Sequence, residues 1–174
     1  MENEISINHP LVLYAKKQWD AGNQKVHLIE NDQEKKDLIS PLGKFPHAYV
    51  LACIMDRQIK AENAWVIPWE ISKKIGGFDF PLLCKIPLEK LQDIFQEVSK
   101  HRFKENMAKY FYAAIQRIAK QYDGDARKIW NDTPPSGLLI SRFLQFDGVG
   151  LKIATMATNI LVRQFGVQLK EIYS

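Results

Sequence analysis

Cysteine is scarce in this chain. Cys53 and Cys84 are the only two in 174 residues, they stand in unrelated contexts, and no Cys-x-x-Cys pair occurs. Two thiols cannot furnish a zinc set or the four ligands of an iron–sulfur cluster. Cys53, inside an apolar run, reads as a buried thiol. The four histidines, His27 and His47 among them, lack metal-ligand spacing, so metal catalysis is not predicted. No apolar run approaches membrane-spanning length. The N-terminus, Met1 to Ser6, is acidic and has no apolar h-region, which speaks against a signal peptide. These absences predict a cytoplasmic protein, nuclear if eukaryotic, without contact with a membrane. Internal repeats, low-complexity tracts and sustained strand alternation are missing as well.

What is present is ordinary for a globular protein: 46% hydrophobic and 25% charged residues in a chain long enough to bury a substantial core. The net charge of +4 tilts toward a polyanionic partner without establishing one. The fold class read from periodicity is all-α, a compact bundle of short helices. Residues 1–44 read as an N-terminal helix, about Pro10 to Ala21 with Leu11, Leu13, Tyr14 and Trp19 as its apolar members, followed by a polar linker. Residues 45–174 read as the main helical domain.

Within that domain Ala48–Met55 is apolar or tyrosine throughout, the mark of a helix buried on all sides. Gly76–Pro81 has loop chemistry. Leu88, Leu91, Ile94, Phe95 and Val98 recur at helical spacing, as do Met107, Phe111, Ala114, Ile115, Ile118 and Tyr122. Asp123-Gly124-Asp125 stops the second of these helices. A short helix near Ala126–Trp130 and a Thr133–Gly137 loop precede a helix over 138–146. A last helix carries Ile153, Met156, Ala157, Ile160 and Leu161, and Gly166 is placed to follow its end.

Between the last two helices stands Asp147-Gly148-Val149-Gly150-Leu151-Lys152-Ile153-Ala154. This predicts helix, tight hairpin, helix. Gly148 and Gly150 permit positive φ and close backbone approach, and Val149 is the one apolar residue at the tip. The amides of the turn and of the next helix's first turn form a ready phosphate site, with Lys152 beside it.

In these residues the chain resembles the helix-hairpin-helix DNA glycosylases, the group that includes endonuclease III and the 8-oxoguanine glycosylases. Gly148, Val149, Gly150, Lys152 and Ala154 match their hairpin pattern, and Asp147 stands where they usually have proline. The resemblance extends back more weakly to about Phe45. It implies base-excision repair of double-stranded DNA containing a damaged base or an abasic site, by a monomer. Lys152 would be the nucleophile that forms a Schiff base at C1′ of a flipped nucleotide and gives AP-lyase activity. An amine attacks only when neutral, and both a helix start and desolvation against DNA favour that form. Gly148, Val149 and Gly150 would anchor the DNA backbone, with a monovalent cation at the hairpin. The alternative is a non-catalytic helix-hairpin-helix module that only grips DNA.

The resemblance also implies an aspartate beyond the lysine. Counting forward lands near Gln168–Lys170, where Glu171 is the sole carboxylate and is out of register. The expectation is a chain that represents the front part of a longer protein, its C-terminal part missing, without the cluster that many endonuclease III relatives carry. Asp147 itself reads as a turn or N-cap residue. Arg57 and Gln58, the polar break after the buried helix, match a turn that in the family enters the space left by the flipped nucleotide. Lys100 to Lys104 is a basic cluster around Phe103. Trp65, Trp69, Phe78 and Phe80 either pack in the core or line a base pocket.

Overall fold

A computed structural model describes residues 8, 10, 12–13, 16–17, 32–57, 59–98 and 103–170. Among these the secondary structure is helical, with no strand. The chain divides into two compact units, one made of His27–Ala126 and the other of Met1–Val26 with Arg127–Ser174.

The first unit is built around α2 (Pro46–Met55). Pro46 opens this helix, where its missing N–H costs nothing, and Asp56 caps its end. Every residue of α2 is buried. Around it lie α1 (Gln33–Leu38), α3 (Ala61–Trp65), α4 (Ile67–Ile75), α5 (Phe80–Cys84), α6 (Leu88–Val98) and α7 (Lys104–Gln121). Helices α3, α4 and α7 pack directly on α2, α6 packs along α7, and α5 also rests on α7. The predicted stripe of α7 is the buried one, Met107, Phe111, Ala114, Ile115 and Ile118, while Tyr122 is half-buried beyond the helix. Phe111 meets Phe78 and Phe95 edge to face, with centroids 6.5 and 5.6 Å apart. Trp65 and Phe78 are thus core residues. At the end of α7 Gly124 takes φ +78° and donates its N–H to the Ile118 carbonyl. A Cβ there would press on the Phe80 ring at 3.3 Å.

Two helices of this unit depart from the sequence reading. The first, α1, lies where a polar linker is expected. It buries no residue of its own; the Asp32 carboxylate caps it by accepting from Lys35 N. It packs on α4, where Lys73 pairs with Glu34 at 2.6 Å and Lys35 and Lys73 lie over the Trp69 ring at 4.5 and 5.3 Å. Helix α1 thus packs against a helix from beyond residue 45. The second, α5, begins inside the expected Gly76–Pro81 loop, because Pro81 stands in the first turn of a helix.

His47 is the buried polar residue that ties the 77–79 loop to α2. Its Nε2 lies 2.7 Å from the Phe78 carbonyl, which can only accept, so Nε2 carries the proton. The ring stacks on Phe78 and meets Phe45 and Phe80 edge-on. Burial lowers the His47 pKa, against the opposing pull of the Phe78 carbonyl, Asp79 and Asp125. The unfolded chain therefore takes up this proton before the folded one does. Stability should fall as pH drops below the ordinary histidine range, by up to about 1.4 kcal/mol per pH unit for one proton. Urea denaturation at pH 7.5 and 5.5 should show this loss in the wild type and less of it in His47→Gln, which keeps a donor for Phe78. An equal loss in both proteins would remove His47 as the cause.

In the second unit α8 (Ser136–Leu144) and α9 (Leu151–Arg163) pack on each other. Their buried apolar residues are Leu139, Ile140 and Phe143 on α8, and Ile153, Ala154, Met156, Ala157, Ile160 and Leu161 on α9. Arg142 of α8 grips the preceding loop, donating to both Asp132 carboxylate oxygens at 2.7 and 2.8 Å and to the Ile129 carbonyl at 2.8 Å. The guanidinium holds the Asp132 carboxyl below its usual range. Past α9, Gly166 adopts φ +69° and Lys170 N donates to the Pro134 carbonyl at 3.2 Å. Of the expected first helix, Leu11, Tyr14 and Trp19 lie outside the described residues. Residues 10, 12–13 and 16–17 are helical, but Val12 is the buried one and Leu13 is 52% exposed.

Candidate nucleic-acid interface

The Gly148–Gly150 segment is a solvent-facing turn between α8 and α9. Phe146 accepts the Val149 N–H at 3.1 Å, closing it. Gly148 takes φ +84°, the left-handed region that glycine alone enters freely. Gly150 differs from the sequence reading: with φ −99° and ψ −174° it is extended and needs no glycine for its torsion. Its role is space, since a Cβ there would meet nothing within 4 Å and would stand out into solvent. Val149 is half-buried and Asp147 exposed.

Gly150 is the N-cap of α9 and supplies no side-chain hydrogen bond; its carbonyl accepts from Ala154 N at 3.0 Å. The first-turn N–H groups thus lack the hydrogen bond that a Ser or Asp N-cap would give them, and the helix dipole adds positive potential at the same place. Asp147 is not the N-cap, which corrects one of its two expected roles. Lys152 stands exposed in this first turn. Gly148, Gly150 and Lys152 are thus brought to one short stretch of accessible surface suited to a phosphate and a reactive sugar. Among the described residues no group of three or more His, Cys, Asp or Glu side chains is placed to hold a metal ion, and no helix is long and apolar enough to cross a membrane.

Arg57 belongs to the other unit. It is half-buried, and its guanidinium lies over the Tyr110 ring at 5.3 Å. Arg57, Tyr110, Phe103, Asn106 and Met107 line a cavity of about 190 Å³. Phe103, 39% exposed, is the described aromatic of the predicted basic cluster. Lys104, its neighbour, donates to the Gln96 carbonyl at 3.3 Å. Gln58, Lys100, His101 and Arg102 lie outside the described residues. Sequence reasoning missed Tyr110 and Asn106 as neighbours of Arg57, because they stand some 50 positions away on α7 with no local signal. Compared with family models, with curated proteins and with solved structures, the chain finds no match.

Proposed function

We propose that this chain is a base-excision DNA glycosylase with AP-lyase chemistry, acting on double-stranded DNA through the Gly148–Gly150 turn and Lys152. The observation that carries the reading is the exposed amine of Lys152 in the first turn of an N-terminus that no side chain caps, directly after a turn with glycine in the left-handed region. Phosphate would take the first-turn amides. The neutral Lys152 amine would donate its lone pair to C1′ as the bond to the base breaks and its electron pair leaves with the base. Loss of a proton from nitrogen and opening of the sugar ring give the imine, and removal of a C2′ proton then expels the 3′ phosphate.

Two measurements test it. Duplex affinity should fall steeply with salt, about one counterion per phosphate neutralised. Borohydride should trap a covalent adduct with abasic-site DNA. Salt-dependent binding without an adduct would leave the non-catalytic grip, and salt-independent or absent binding would remove DNA altogether.

A further inference from the structure

Helix α1 is tied to α4 through charges. The Glu34 carboxylate accepts from Lys73 Nζ at 2.6 Å. The Lys35 ammonium lies 4.5 Å from the centroid of the Trp69 ring, and Lys73 lies 5.3 Å from the same ring. Both members of the Glu34–Lys73 pair are more than half exposed, so water and salt reach it and it holds weakly. No residue of α1 is buried. On another flank Glu34, Asp37 and Leu38 border an open cavity of about 420 Å³ that is also lined by Leu42 and Phe45. That hollow leaves the helix room to move. A helix of six residues does not persist in water by itself, so α1 depends on what it docks against.

A fixed point lies directly behind it. Ile39 is 2% exposed and Pro41 is buried, and Gly43 N donates to the Ser40 carbonyl at 3.1 Å in the turn that leads to α2. The Asp32 carboxylate that caps Lys35 N is local to α1 and moves with it. We infer that α1 is a strap held shut by charge: docked, it lies against Trp69 and occupies Lys73, and it comes off α4, pivoting at Ile39–Pro41, when salt breaks the Glu34–Lys73 pair. Open, α4 presents the Trp69 ring and the Lys73 ammonium side by side to a partner. Strap and latch both lie in the His27–Ala126 unit, which does not contain Lys152, so opening requires no DNA chemistry and stands whether or not the glycosylase reading does.

The test is hydrogen exchange of the full chain, read by mass spectrometry on peptides covering α1 and α2. It is run in ~0.1 M and ~1 M sodium chloride, where the Debye length falls from about 10 Å to about 3 Å. In the wild type α1 should exchange at least about threefold faster at high salt, the scale of one exposed ion pair, while exchange in the fully buried α2 stays within about 1.5-fold. Glu34→Gln keeps the size of an exposed side chain and removes its charge. Its α1 should exchange at the faster rate already at low salt and respond little to more. An α1 rate that is the same at both salt concentrations in the wild type, whether slow or fast, would overturn the strap. So would a Glu34→Gln protein whose α1 stays as protected at low salt as the wild type. Equal acceleration of α1 and α2 would show that α1 opens only when the whole unit does, and would overturn it too.

Discussion

Lys152→Gln should abolish the adduct that borohydride traps on abasic-site DNA while leaving duplex affinity within about tenfold, or ~1.4 kcal/mol. The asymmetry follows from the surroundings of the residue. As a phosphate contact, one exposed charge at the start of α9 works beside the first-turn amides and the helix dipole, which glutamine leaves in place. As a nucleophile it has no substitute, because glutamine's amide nitrogen cannot form an imine. A gel-shift titration run beside the trapping assay separates the two roles. Wild-type adduct levels in the variant would refute the catalytic assignment and leave the DNA grip.

The two hairpin glycines should fail in different ways. Gly148→Val forces a β-branched residue to φ +84°, a strain of roughly 1–3 kcal/mol, so the variant should lose stability and binding together. Gly150→Val keeps an extended backbone that valine adopts readily, and its Cβ enters open space. It should stay within about 1 kcal/mol of wild type, the N-cap preference for glycine included. Its duplex affinity should nevertheless drop by about tenfold, because the side chain stands in front of the first-turn amides. Urea denaturation and fluorescence anisotropy on the same samples decide the matter. A Gly150→Val protein that binds like wild type would take the turn out of the interface.

The sequence could not have distinguished these glycines, since residue type carries no torsion angle. It was far more informative where burial is periodic. The stripes of α6 and α7 were readable because Leu91, Ile94 and Phe95, and Met107 through Ile118, each line one buried side of a long helix. The short helices were not. In α1 no residue is buried, and the Lys73 that pairs with its Glu34 is 39 positions away. In α5 a five-residue helix opens on a proline that otherwise marks a loop. The candidate site divides in the same way. Gly148, Gly150 and Lys152 are neighbours in sequence and could be read as a group. The stacking of Arg57 on Tyr110 arises from packing and leaves no local pattern.

The all-round burial of α2 also bears on how this protein is made. An amphipathic helix leaving the ribosome can turn its polar side to water, whereas Pro46–Met55 has no such side. Part of its cover, α7, ends about 66 residues later at Gln121. At translation speeds of roughly 5–20 residues per second, that part arrives some 3–13 s after α2 has been synthesised. Through that interval the nascent chain carries an apolar segment one of whose three packing partners has not yet been made. The order of helices along the chain therefore sets how long part of this apolar segment stays uncovered during synthesis.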